Sequence, residues 1–235
     1  LPANTILTIS KENLSEDSDN VASSKFVISL TDKEVPLGET REFVYTIIEK
    51  AGSDKNMAYD EKEYTVTLKA TNTNGKITTN ITNPNSNVNF ENIYYQPVGT
   101  TIPVRKVLEG RDIKENDTFT FRIQGNEQSR RFIQGNDEIK ITPNVVEGKK
   151  LVFQDQLFKI GNFTKDDVDH EFNFTISEVQ GKEEGMIYDA TTYTVAVTPK
   201  LKNNKIVCDM KIGDKDIDDT NPLTFTNTYE PTGTL

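Results

Sequence analysis

Apolar and polar residues alternate along short stretches of this chain with the period of two that puts every second side chain on one face of a strand. Leu7, Ile9 and Lys11 share a face in TILTISK, 5–11; Phe26, Ile28 and Leu30 in KFVISL, 25–30; and Phe43, Tyr45, Ile47 and Glu49 in 43–49. Farther on the pattern joins Val88, Phe90, Asn92 and Tyr94, then Ile102, Val104 and Lys106, then Phe119, Phe121 and Ile123. It closes with Phe172, Phe174, Ile176 and Glu178, and with Leu223, Phe225, Asn227 and Tyr229. The polar segment 12–24 reads as a loop, and Asn74-Gly75 is a favoured hairpin turn between YTVTLKA and KITTNIT. No stretch makes a convincing amphipathic helix, and Asp166-Asp167 suggests one short helical turn at most. The pattern predicts an all-β protein with turns at sandwich-like intervals.

The strands repeat. Residues 43–68 return as 172–197 without a gap: Glu49 lies ten residues before Tyr59-Asp60 and fifteen before Tyr64, as Glu178 does before Tyr188-Asp189 and Tyr193. Lengths of 235 residues and an internal repeat imply two tandem domains, 1–96 and 97–230, with QPVGT at 96–100 as a tight link and 231–235 left over as a tail. The first copy is shorter. Matching Phe26–Leu30 to Phe119–Ile123 leaves 23 residues from Phe26 to Glu49 against 59 from Phe119 to Glu178, so about a strand pair is missing near TDKEVPLGE, 31–39.

In each copy three polar side chains end an apolar strand face in the same order: Lys11, Glu49 and Asn92 in the first, Lys106, Glu178 and Asn227 in the second. An inward carboxylate without a partner is costly, and so is an inward ammonium. Burial lowers the lysine pKa and raises that of the glutamate, so a neutral amine can stand beside a neutral acid. Such an amine can attack the asparagine amide carbon while the glutamic acid hydrogen-bonds the carbonyl oxygen and shuttles protons to departing ammonia. The product is a Lys–Asn isopeptide bond. A fold that holds the groups in contact supplies an effective molarity of roughly 10⁵ M or more, so no separate enzyme is needed. The reaction runs once per domain, and the chain is expected not to be a turnover enzyme.

Composition narrows the alternatives. A formal charge of -10 argues against nucleic acid or an anionic membrane as partner, and no apolar run is long enough to span a bilayer. One histidine, His170, and one cysteine, Cys208, leave no intrachain disulfide and little for a metal site or a His-based triad, and no cofactor is implied. The absence of tryptophan gives a carbohydrate site little support.

At IPVRKVLEGRD, at YTIIE and FTISE with their downstream YD and YTV, and at FENIY and FTNTY, the chain resembles the streptococcal pilin isopeptide-linkage domain of Gram-positive backbone pilins, the T antigens. The resemblance implies Ig-like β-sandwiches, each with a Lys–Asn isopeptide bond and a glutamate proton shuttle. It also implies the shaft subunit of a cell-surface pilus, secreted and attached to the cell wall, whose partners are other pilin subunits joined head to tail by a sortase. In YEPTGTL, Thr232-Gly233 is similar to a sortase cleavage site. The alternative is a stalk or adhesive domain of a cell-wall adhesin that binds host proteins; antibodies are a further class of partner for such a surface protein.

Overall fold

The structure, a computed structural model, describes residues 5–9, 14–15, 18–82, 88–146 and 150–231. The chain folds as two compact units, Leu1–Ala51 with Asp60–Glu91, and Gly52–Tyr59 with Asn92–Leu235. Among the described residues, apart from two short 3₁₀ turns, Arg130–Phe132 and Lys165–Asp167, the regular elements are strands. The second of these turns is capped at Thr164, whose backbone N–H and hydroxyl both donate to Asp167.

In the first unit, β1 (Thr40–Ile48), β2 (Glu63–Thr73) and β3 (Lys76–Thr82) form a three-stranded antiparallel sheet in that order. The β2–β3 turn is Asn74-Gly75, both at positive φ (54° and 80°), a conformation that glycine and asparagine tolerate best. Phe43, Tyr45, Ile47 and Glu49 are half-buried while their neighbours Val44 and Ile48 are exposed, so the alternation read from β1 holds. Four other expectations for this copy do not: within 12–24, expected to be a loop, Leu14–Ser15 pairs with Ser18–Ala22 as a two-stranded sheet, and the other three concern the expected strands. Residues 5–9 and 25–30 are not strands, Ile9 and Phe26 are exposed, and of Val88, Phe90, Asn92 and Tyr94 only Phe90 is half-buried.

The segment 31–39 is a folded turn. Thr31 caps it, its N–H and hydroxyl donating to Glu34, as Thr164 does with Asp167. Val35 is wholly buried, and the Asn72 amide donates to Asp32 and to the Val35 carbonyl. The matching caps align Leu30 with Phe163, so 25–30 corresponds to the strand that ends at Phe163 and not to 119–123. The shortfall of the first copy therefore lies between Lys11 and Phe26, where residues 12–25 stand against 107–158 of the second copy.

The described residues of the second unit form two large sheets, besides the two-stranded pairings of Pro143–Val146 with Lys150–Phe153 and of Met57–Ala58 with Ile93–Tyr94. The first holds, in order, Ile133–Gln134, β7 (Gln156–Phe163), β4 (Val98–Glu109), β11 (Leu223–Tyr229) and Met186–Ile187. The second holds β6 (Glu138–Ile141), β5 (Phe119–Gly125), β8 (Phe172–Glu178), β9 (Thr192–Lys202), β10 (Lys205–Ile212) and Lys215–Asp216. Between them lies a core of alternate residues, among them Ile102, Val104, Phe121, Phe174, Ile176 and Phe225. The expected link at 96–100 is replaced from Val98 onward by the start of β4. Gly99 packs there so closely on Ile160 and Gly161 of β7 that a Cβ would meet the Ile160 carbonyl at 2.8 Å. One pairing decides the site: β4 and β11, the first and last long strands of the unit, are parallel neighbours, with Lys106 opposite Phe225 and Asn227 opposite Leu108.

Candidate functional site

Parallel pairing of β4 and β11 puts Lys106 and Asn227 on the inward face of one sheet, and the alternation of β8 brings Glu178 to them from the facing sheet. All three are buried, with 4, 5 and 0% of their surface exposed. The Glu178 carboxylate bridges the other two. Its Oε2 lies 2.9 Å from Lys106 Nζ, and its Oε1 accepts a hydrogen bond of 2.7 Å from Asn227 Nδ2. Aromatic rings close the surroundings to water: Lys106 Nζ stands 4.7 Å from the Phe119 ring centre, and Phe225 packs between Phe121 and Tyr193 at 5.0 Å from each.

Burial pushes the Lys106 amine below its ordinary range, against the opposing pull of Glu178. It also pushes the Glu178 carboxyl up, against the hydrogen bonds of Lys106 and Asn227. Both directions favour the neutral amine beside the neutral acid.

The Asn227 amide is oriented by a donor that cannot be reversed. The backbone N–H of Asp189 points at it over 2.8 Å and can only donate, so the oxygen Oδ1 faces Asp189 and the nitrogen faces Glu178. Sequence reasoning gave the glutamate the task of polarising the carbonyl. Here the carbonyl is held by Asp189, and Glu178 touches the two nitrogens, Nζ of Lys106 and Nδ2 of Asn227.

The fixed spacing of the repeat now has a structural meaning. Tyr193 Oη donates to the Thr224 carbonyl, three residues before Asn227, and Tyr64 Oη donates to the Asn89 carbonyl, three residues before Asn92. The Asp189 carboxylate accepts from Thr226 N–H and Thr191 N–H, and that of Asp60 accepts from Glu91 N–H and Lys62 N–H, in the same relative places. Met57 pairs with Tyr94 as Met186 pairs with Tyr229. The YD and Tyr positions were visible as a repeat in the sequence, but their contacts to the asparagine-bearing segment were not assigned.

For the first copy, Lys11 lies outside the described residues. Glu49 is half-buried and accepts a hydrogen bond of 3.2 Å from Asp60 N–H, and Asn92 is exposed. Thr232 and Gly233 also lie outside the described residues. Among the described residues no cluster of three or more His, Cys, Asp or Glu side chains is arranged to hold a metal, and no helix is long and apolar enough to cross a membrane.

Residues 4–95 and 102–230 each match the family described as the Spy0128-like isopeptide containing domain, FctA. The chain belongs to this family. In the second of the two isopeptide-domain segments, the match spans the strands that carry Lys106, Glu178 and Asn227. Among solved structures the chain is similar to a major pilin protein of Streptococcus pyogenes, at 15% identity over 84% of this chain and 69% of that one, with a TM-score of 0.28. It is similar also to an asparagine-to-alanine variant of a Streptococcus pyogenes major pilin, at 16% identity over 84% and 72% of the two chains, with a TM-score of 0.27. No curated protein matches it.

Proposed function

We propose that this chain is a structural shaft subunit of a sortase-assembled surface pilus, stiffened by an autocatalytic isopeptide bond between Lys106 and Asn227. The observation that carries the reading is the buried bridge of Glu178 between the Lys106 amine and the Asn227 amide nitrogen, in a chain of the isopeptide-domain family. Lys106 is the nucleophile, Asn227 the electrophile, and Glu178 moves the proton from one nitrogen to the other. Each subunit would be consumed in a single turnover, which makes this a folding step and not an enzyme activity. By the repeat, Lys11, Glu49 and Asn92 would make the corresponding set in the first copy. A sortase would join subunits head to tail at the cell surface, with Thr232-Gly233 as the candidate cleavage site.

Intact mass tests this directly. The purified chain is expected to weigh less than its sequence by one ammonia for each bond, and digestion is expected to yield a branched peptide joining Lys106 to Asn227. A full sequence mass with no branched peptide would refute the crosslink. Incubation with a class of sortase that assembles pili is expected to give a ladder of covalent oligomers, and saturable binding to a host protein with no ladder would favour the adhesin alternative.

The rate of bond formation should be bell-shaped in pH. The lowered Lys106 pKa means that the amine is free over a wider range, and the rate falls only when acid returns its proton; the raised Glu178 pKa means that the acid survives to higher pH, and the rate falls when alkali removes its proton. Timed mass spectra of chain made by cell-free synthesis directly into denaturant, and so not yet folded, then diluted into buffers of increasing pH would check this, and a rate that climbed steadily through alkaline pH would contradict it.

A further inference from the structure

Asp189 is the residue of this site whose polar atoms are most fully engaged. Its N–H donates to Asn227 Oδ1 at 2.8 Å, and its carbonyl accepts from Gln180 Nε2 at 2.9 Å. Its Oδ1 accepts from Thr191 N–H at 2.8 Å, and its Oδ2 accepts from Thr226 N–H at 2.8 Å. The last contact is to the residue immediately before Asn227. One side chain thus fixes the strand that carries the asparagine, while the peptide N–H of the same residue meets the asparagine's carbonyl oxygen. The carboxylate stays charged in this role: burial draws its pKa up, but the hydrogen bonds of Thr191 and Thr226 outweigh that and hold it below the usual range.

We infer that Asp189 is a fourth functional residue of the crosslinking site: its backbone N–H serves as the donor for the oxyanion on Asn227, and its carboxylate aims that N–H. This rests on the reading of Lys106, Glu178 and Asn227 as a crosslinking site. As the neutral Nζ of Lys106 bonds to Cγ of Asn227, the carbonyl π electrons move onto Oδ1, and the Asp189 N–H faces the charge that develops there. Nζ gives one proton to the Glu178 carboxyl as that carboxyl gives one to Nδ2. The Cγ–Nδ2 bond then breaks, ammonia leaves, the carbonyl re-forms and Glu178 is left as an acid, as it began. The glutamate alone cannot do both jobs, because its two oxygens are already occupied by the two nitrogens.

The first copy contains the same clamp. Asp60 Oδ2 accepts from Glu91 N–H at 2.9 Å and Oδ1 from Lys62 N–H at 2.9 Å, so the carboxylate seizes the residue before Asn92 just as Asp189 seizes the one before Asn227. The aspartate at this place in the repeat is therefore a positioning element of the motif and not a chance surface charge.

The test compares the full chain with its Asp189→Ala, Asp189→Asn and Lys202→Ala variants, each made by cell-free synthesis directly into denaturant so that it has not yet folded, then diluted into neutral buffer, with ammonia loss at Lys106–Asn227 followed by timed mass spectrometry. Lys202→Ala removes an exposed ion pair with Asp209 that involves none of the site residues, and it is expected to crosslink at the parental rate. Asp189→Ala is expected to be slower by about a hundredfold, the scale of an ångström of misalignment at a reacting centre, with Asp189→Asn in between because one acceptor oxygen remains. If the parent chain loses no ammonia, the crosslinking reading itself fails. If the parent crosslinks and Asp189→Ala keeps pace with it, only the present inference is overturned. Should Asp189→Ala fail to fold, nuclear magnetic resonance of the uncrosslinked Glu178→Ala chain decides: the Asp189 amide proton is expected to lie downfield and to move upfield when Asn227→Ala is added. An Asp189 amide proton indifferent to Asn227 would overturn the inference.

Discussion

Glu178→Ala will leave Lys106 and Asn227 unjoined and will bring the second unit close to its unfolding threshold. Two losses combine. On the proposed mechanism, loss of Glu178 leaves no group to take the proton from Nζ or deliver one to Nδ2, so the chain keeps its ammonia, and the loop of about 120 residues that the bond would close goes free; the entropic model values a loop of that size at about 4–5 kcal/mol. The variant also strands Lys106, whose side chain is wholly shielded from solvent and whose ion-pair partner is Glu178. Breaking a buried pair from one side costs about 3–5 kcal/mol, although an amine can limit the loss by giving up its proton. Against a domain stability of about 5–15 kcal/mol the sum is decisive. The double variant Lys106→Met/Glu178→Ala separates the two losses, because it removes the stranded charge while leaving the crosslink absent. Urea unfolding is expected to place it between the parent and Glu178→Ala; a double variant no more stable than the single one would show that the amine was never a burden.

How this site could be foreseen, and how far, follows from what kind of information a period carries. Alternation states which face a side chain occupies, and it placed Lys106 with Ile102 and Val104, Glu178 with Phe174 and Ile176, and Asn227 with Leu223 and Phe225, all of which are buried together. The repeat then paired each polar residue with a counterpart, so the set of three could be read without coordinates. Alternation says nothing about which strands are neighbours. That β4 and β11 run parallel and adjacent, and that β8 reaches them from the other sheet, is tertiary information. Nor can a period reveal what a backbone N–H does, which is why Asp189 was legible only as a recurring letter.

The first copy shows the converse. Residues 5–9 and 25–30 carry strand-like alternation, yet they are not strands. In the second unit β4 and β7, their counterparts, are held in a five-stranded sheet that faces six further strands. Between Lys11 and Phe26 the first copy has only residues 12–25 where the second has 107–158, and a short amphipathic segment gains little from extension without a full second layer to bury its face. Propensity was present and packing was not.

Pulled from its ends, the second unit will not lengthen between Lys106 and Asn227 until a covalent bond breaks. Tension that enters β4 at Val98 and leaves β11 at Tyr229 acts on two parallel neighbours in opposite directions, a shear along the pairing that runs from Val104–Leu223 to Glu109–Thr228. With hydrogen bonds alone, that shear would eventually part the strands and pay out the chain behind them. A Lys106–Asn227 bond carries the tension straight from one strand to the other and leaves residues 107–226 outside its path. The experiment is single-molecule extension of the full chain beside its Asn227→Ala variant. In the variant, unfolding should release roughly 120 residues, a gain in contour length of about 400 Å at 3.3–3.6 Å per residue. In the parent that step should be missing at every force the attachments survive. A parent that showed the same 400 Å step would mean that no covalent link joins the two strands, whatever the distances between their side chains.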